Sequence, residues 1–200
     1  MKRVRLLAIP LLALLIPMTA ALAQENRHHR GRCGMGDTVM NLPAQEVDAT
    51  EESDLLHMRE EEKLARDVYR AMDEIWGMRI FRNIGMAESN HMAAVGALLE
   101  KYSIPDPVGD NAEGVFEDPD LQALFHELVA QGSESLNQAL TVGATIEDLD
   151  IFDLADAMAR TDNEDILVVY QNLQKGSRNH LRSFVSLLEA NGITYDPQFL

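Results

Sequence analysis

The chain has 200 residues, and its hydrophobic content of 46% is enough to bury the core of one domain with a short appendage. A formal net charge of −16 argues against nucleic acid and anionic lipid as partners and favours cations. The only cysteine, Cys33, excludes an intramolecular disulfide, so we expect stability to come from packing.

Residues 1–23 have the pattern of a secretory signal peptide. Basic residues at positions 2, 3 and 5 precede the apolar run 6–16, and Ala21-Leu22-Ala23 resembles a cleavage signature. A retained membrane anchor is the alternative, but the run is short and broken by Pro10, whereas a span needs about 20 apolar residues. We therefore expect cleavage near Ala23, export to the periplasm or the medium, no stable membrane anchor and a mature charge of −19, since three basic residues are removed.

Residues 24–50 are predicted to form a flexible linker, because they are polar, rich in glycine and without periodicity. Within it, His28, His29 and Cys33 could hold a metal loosely, but a disordered tail explains the same composition.

The first domain helix is predicted to begin near Thr50 or Ser53 and to end at Gly77. Its apolar stripe repeats every seven residues, and Glu62 falls inside that stripe. Alone, such a glutamate is usually a surface residue or an ion-pair partner, here to Arg66. We expect its neighbours at positions 60 and 61 to face solvent, with residue 61 at the edge of the stripe.

The second helix covers the stretch from Phe81 to Tyr102, and its apolar residues again recur at steps of three and four. Glu88 and His91 lie where this pattern requires core residues. A carboxylate and an imidazole three residues apart share one helix face and could bind a single metal ion. Burying them without a partner would be costly.

A connection of about fifteen residues follows, which is long for a compact bundle and suits a crossover. Asp118 and Pro119 then predict the start of a short helix that ends at Gly132. Its His126 falls on the polar side, so we expect no functional role for it.

A long helix is predicted over residues 133–159, with Glu147 in its inward stripe. Asp150 lies one turn further and could join the same site, whereas Asp148 should point away. Gly143 is expected to allow close approach of another backbone.

The last helix is predicted to start with the capping box Thr161-Asp162-Asn163-Glu164 and to end at Gly192. His180 lies on its buried face. A lone histidine there is more often a hydrogen-bonded core residue than a ligand, but three other helices offer ligand-type residues at the same depth.

Four long helices with such residues predict an all-α four-helix bundle with a buried metal site, in which the long connection contains an extra short helix. The runs Glu62–Tyr69, Glu88–His91 and Gly176–His180 resemble a ferritin-like family of bacteria and archaea known as a domain of unknown function. They resemble rubrerythrin more distantly. The resemblance covers about residues 53–191, so we assign the bundle to residues 51–193 and a C-terminal tail to residues 194–200.

The resemblance implies two carboxylate-bridged irons, with manganese or zinc as alternatives. Glu62 and Glu147 would be terminal or bridging ligands, and His91 and His180 nitrogen ligands. The chain departs from the rubrerythrin pattern at Ser177, where a glutamate is expected. Asp150 or water could complete the site, the site could hold one metal, or metal binding could have been lost.

Two classes of function follow from this pattern. In the first, the protein is a ferroxidase-like or peroxidase-like oxidoreductase that reacts with dioxygen or peroxide. Tyr69 and Trp76 could then donate electrons or simply pack, and an external donor is needed because rubredoxin-like cysteine pairs are absent from the sequence. In the second, the protein is a non-catalytic metal-binding or interaction bundle. The oligomeric state is not encoded in these patterns.

Overall fold

The structure is a computed structural model that describes residues 41–200. Across this range the chain is all-α, without β-strands, and forms five helices: α1 (Ala49–Trp76), α2 (Arg79–Tyr102), α3 (Pro119–Glu134), α4 (Leu136–Arg160) and α5 (Glu164–Ala190). The predicted signal peptide, the residues of the proposed tail metal cluster at positions 28, 29 and 33, and the linker up to residue 40 lie outside the described residues.

The four long helices form a closed ring of contacts. Helix α1 packs against α2, α2 against α5, α5 against α4, and α4 against α1. The shorter helix α3 packs on the outside of this ring, against α1 and α4. The prediction of an all-α bundle with an extra short helix in the long connection is therefore confirmed, while its ferritin-like topology stays a prediction. Between residues 41 and 200, none of the helices combines the length and apolarity needed to cross a membrane.

Helix α1 begins earlier than its sequence suggests. Asp48, and not Thr50 or Ser53, is the N-cap, because its side chain accepts from the backbone N–H groups of Thr50 and Glu51. Glu51 completes a capping box by accepting from the backbone of Asp48 at 2.9 Å. The predicted end at Gly77 is confirmed, and this glycine adopts the left-handed conformation with φ of 64°.

The other helix ends follow the predictions in part. Asp118 caps α3 as expected, but α3 continues through Gly132 to Glu134. Ser135 then caps α4, two residues later than the predicted start. The capping box predicted for α5 is wrong, because Asn163 and not Thr161 is the N-cap, and the backbone N–H of Glu164 donates to Gln45 Oε1.

The interior consists of two apolar clusters with a polar layer between them. On every long helix, one segment contributes to the first cluster and another to the second. On α1, for example, Leu55 and Met58 belong to one cluster and the residues from Leu64 to Met72 to the other. The polar layer therefore lies at mid-depth in the bundle, where Glu62, Glu88, Glu147 and His180 fall on their helices.

The long connection is anchored to α1 by buried charged side chains. Glu60 accepts from the backbone N–H groups of Glu117 and Asp118, at 2.7 and 3.0 Å. Lys63 donates to the Ala112 carbonyl and to Asp67, and Asp67 accepts from the Gly114 backbone. The expectation that Glu60 and Glu61 face solvent is wrong, because the connection and the neighbouring helices cover both side chains.

The C-terminal tail is held by Asp148. As expected, this carboxylate points away from the polar layer, but it is fully buried because the tail covers it. One of its oxygens accepts from the Tyr195 hydroxyl and from the backbone N–H groups of Gln198 and Phe199. At the other end of the described chain, Leu42, Gln45 and Glu46 form hydrogen bonds with the bundle.

Candidate metal centre

Each of the four long helices sends at least one ligand-type side chain into the polar layer. Glu62 comes from α1, Glu88 and His91 from α2, Glu147 from α4 and His180 from α5. The three glutamates are each only 2% exposed, so solvent does not stabilise their charges. The five residues that the sequence pattern singled out on separate helices are thus brought together.

Both histidines are directed at carboxylates through Nδ1. His91 Nδ1 lies 2.6 Å from Glu88 Oε2 and 3.2 Å from Glu62 Oε2. His180 Nδ1 lies 2.8 Å from Glu88 Oε1 and 3.4 Å from Glu147 Oε2. The two imidazole rings stack with their centroids 5.7 Å apart.

Glu88 is shared between two clusters of potential ligands. Glu62, Glu88 and His91 form one cluster, and Glu88, Glu147 and His180 form the other. Within each cluster the ligand atoms all lie within 4.8 Å of one another. One oxygen of Glu88 faces each histidine, so this carboxylate is placed to bridge two cations.

The donor set fits metal binding better than hydrogen bonding alone. Counting partners among residues 41–200, Glu62 Oε1, Glu88 Oε1 and His180 Nδ1 are buried without a hydrogen bond. The last two atoms lie 2.8 Å apart and contact each other as an ion pair. Unsatisfied buried polar atoms are rare in folded proteins and require an explanation. Carboxylate oxygens with imidazole nitrogens are ligands that suit iron, manganese and zinc.

The charges of the metal-free cluster are balanced by protons. Burial raises the pKa of Glu62 to about 8, and burial with the adjacent Glu88 charge raises the pKa of Glu147 to about 7. Burial alone would raise the pKa of Glu88 as well, but the two imidazoles outweigh it and lower that pKa to about 2. Burial alone would lower the pKa values of His91 and His180, yet the neighbouring carboxylates raise them to about 12 and 10.

Residues around the cluster fix the orientation of its members. The Tyr69 hydroxyl donates to Glu147 Oε1 at 2.6 Å, which leaves Glu147 Oε2 facing His180. Gly176 lies directly against the His91 ring, because a Cβ there would be 2.7 Å from its Cε1 and Nε2 atoms. Gly143 accommodates the Phe184 ring, and not another backbone as expected.

Asp150 and Ser177 contact each other beside the cluster. The Ser177 hydroxyl donates to Asp150 Oδ2 and lies 3.0 Å from the Leu173 carbonyl. Within the described part of the chain, neither potential ligand cluster that contains Glu88 includes Asp150. Asp150 instead lines an apolar pocket together with Glu61 and with Phe199 of the tail. The structure therefore brings together five of the six predicted ligands and places the sixth next to them.

Several polar residues near the site have roles that the sequence did not reveal. Arg66 pairs with Asp67 at 2.7 Å, and not with Glu62. The Trp76 indole donates to the Gly132 carbonyl at 2.9 Å, which fixes α3 against α1. Lys63 and Asp67 are four residues apart on one helix, and this spacing could have predicted their ion pair from the sequence.

An all-α bundle with buried glutamate and histidine clusters able to hold metal is the class of protein that this fold and site define. The chain belongs to the family described as "Uncharacterized protein domain (DUF2202)", whose model matches residues 51–200.

Two comparisons place the chain close to an archaeal protein. It is 51% identical over 166 residues to "Uncharacterized protein MJ0754" of Methanocaldococcus jannaschii, which covers 83% of this chain and 90% of that protein. It is also similar to the crystal structure of hypothetical protein MJ0754 from Methanococcus jannaschii DSM 2661. That match has 53% identity and a TM-score of 0.78, and covers 80% of this chain and 91% of the other.

Proposed function

We propose that the protein is an exported, ferritin-like metalloprotein that holds two iron ions in the Glu62, Glu88, His91, Glu147 and His180 cluster. The observation that carries this proposal is the position of Glu88, whose two oxygens face two separate histidines and belong to two ligand clusters. The closed ring of four long helices, with a long connection between α2 and α4, supports the ferritin-like class. Manganese and zinc are the alternative metals.

Each side chain has a distinct role in this proposal. Glu62 and His91 would hold one cation, Glu147 and His180 the other, and Glu88 would bridge them. Tyr69 orients Glu147 by its hydrogen bond. Bound ferrous iron would supply one-electron chemistry with dioxygen or peroxide. The side chains of His91 and His180 remain 12% and 15% exposed, so the site is not completely closed to solvent.

The number of metals depends on how the cluster balances charge. Three carboxylates with neutral histidines carry a charge of −3, which is less than the +4 of two divalent ions. Asp150 is the nearest further carboxylate, but Ser177 holds one of its oxygens. Asp150 would therefore stabilise the second ion through its nearby negative charge, without binding it directly. A site for a single metal ion is the alternative.

A non-catalytic metal-binding bundle is the second candidate function. It is favoured by the composition, since one cysteine cannot supply a rubredoxin-like electron-transfer site. If the protein is instead a peroxidase, its turnover requires an external electron donor.

Metal analysis of the full chain tests the central proposal. Protein purified without oxygen and supplied with Fe(II) should bind close to two irons per chain and then gain near-ultraviolet absorbance when oxygen is added. Glu88→Gln should lose most of this iron, because it removes the charge that both ions share. Glu100→Gln, an exposed change on the same helix, should bind as the wild type does. Equal metal uptake by the wild type and by Glu88→Gln would overturn the proposal, because Glu88 belongs only to the buried cluster.

Export is proposed from residues 1–23 alone. Cell fractionation should find the protein in the periplasm or the medium, with Gln24 as its first residue. Intact protein that keeps residue 1 in the cytoplasm would contradict this part of the proposal.

A further inference from the structure

A third group of potential ligands lies on the outside of the bundle, apart from the buried cluster. His57 and Glu61 are one turn apart on α1, and Asp153 faces them from α4. Their ligand atoms all lie within 4.8 Å of one another, and His57 Nε2 is 3.5 Å from Glu61 Oε1. The group shares no residue with the buried cluster.

The environment of this group leaves a carboxylate oxygen unused. Glu61 is 8% exposed, and its Oε2 is buried with no hydrogen-bond partner in the range 41–200. An unpartnered carboxylate oxygen in the interior is costly, and a cation removes that cost. His57 is 44% exposed, so the group also opens to solvent, from which an ion can enter.

The surrounding charges favour a cation. Asp118, the N-cap of α3, places its Oδ2 3.9 Å from His57 Nδ1. Arg160, whose charge also acts on Asp153, is already paired with Asp54 and Asp156. The group therefore has excess negative charge contributed by three different helices or their caps.

We propose that His57, Glu61 and Asp153 form a second, solvent-accessible site for a divalent cation. One imidazole and two carboxylates from two helices are three of the four ligands of a tetrahedral zinc site, and water can supply the fourth. Because His57 is exposed, this site exchanges its ion with solvent more readily than the buried cluster does.

Zinc binding by the full chain, measured by equilibrium dialysis and calorimetry, tests this site. His57→Ala should bind one zinc ion fewer per chain than the wild type, and Asp153→Asn should show the same loss. His126→Ala is the matched control, because His126 is an exposed histidine on α3 whose Nε2 lies 3.0 Å from the side-chain amide nitrogen of Gln122, and it belongs to none of the potential ligand groups among residues 41–200. The control should bind as many ions as the wild type.

The readout is the difference between wild type and variant, so it does not depend on the buried cluster. If the buried cluster binds no metal, the wild type should still bind one ion more than His57→Ala. Equal zinc stoichiometry and affinity in the wild type, His57→Ala and Asp153→Asn would overturn the inference. In that case the three residues form an ion pair between protonated His57 and the carboxylates.

Discussion

Gly176 is the residue that gives the His91 imidazole its place in the polar layer. A Cβ at this position would lie 2.7 Å from two atoms of the ring, well inside van der Waals contact. Gly176→Ala should therefore move His91 away from Glu62 and Glu88 and weaken metal binding by about 10–100-fold, as loss of an orienting contact does elsewhere. Metal titration of the purified variants measures this effect.

Gly96→Ala is the control for that change. Gly96 is also on a helix, but a Cβ there would be 3.5 Å from Arg59 Cζ, which is an ordinary contact. Both substitutions replace helical glycine by alanine and gain helix propensity. Only the change at position 176 should alter the metal affinity, and equal affinities in both variants would argue against this role of Gly176.

Two buried tyrosines should differ in how loss of the hydroxyl group changes the free energy of unfolding. The Tyr69 hydroxyl donates to Glu147, so Tyr69→Phe should lower the free energy of unfolding of metal-free protein by about 1.5–3 kcal/mol. The Tyr170 hydroxyl is buried without a partner among the described residues, so Tyr170→Phe should cost nothing or stabilise. Urea denaturation in the presence of a chelator compares the two. Equal effects would contradict the assigned hydrogen bond.

At the scale of the helices, α1 fixes the long connection through the Lys63–Asp67 pair. Both side chains are fully buried, and the nitrogen and oxygen are 2.6 Å apart. Asp67→Asn should lower the free energy of unfolding by about 3–5 kcal/mol, because it removes the carboxylate charge that is paired with the buried Lys63 ammonium.

Asp73→Asn provides the comparison on the same helix. Asp73 pairs with Arg82 near the surface, where solvent screens the charges. Chemical denaturation should show little change for this variant. A similar loss of stability in both variants would show that burial of the Lys63–Asp67 pair is not what matters.

Hydrophobic periodicity predicted the helices and the inward position of Glu62, Glu88, Glu147 and His180, because both are local properties of a helix face. It did not predict the burial of Glu60, Glu61 and Asp148. These residues are covered by the connection, by neighbouring helices and by the C-terminal tail, which approach from distant parts of the sequence. The N-cap at Asp48 was missed because several capping residues occur within six positions there.

On the scale of the whole molecule, metal binding should be coupled to proton release. Metal ligation needs unprotonated imidazoles, while the carboxylates raise the pKa values of His91 and His180 well above neutrality in the metal-free protein. Protons compete with the metal for the imidazoles, so the metal affinity should decrease as the pH is lowered and increase as the pH is raised. Calorimetry of the wild type at pH 7 in two buffers of different ionisation enthalpy should give different apparent binding enthalpies. Identical enthalpies in both buffers would contradict the coupling.

The polar layer also divides the hydrophobic interior into two halves, and this limits how cooperatively the bundle can unfold. Hydrophobic burial on either side is interrupted by this layer of charged groups, so we expect the two halves to open with different free energies. A cation bound by all four long helices would tie the halves together. Amide hydrogen exchange should then be slower and more uniform in the metal-bound protein. The availability of metal would therefore determine how long the chain stays folded.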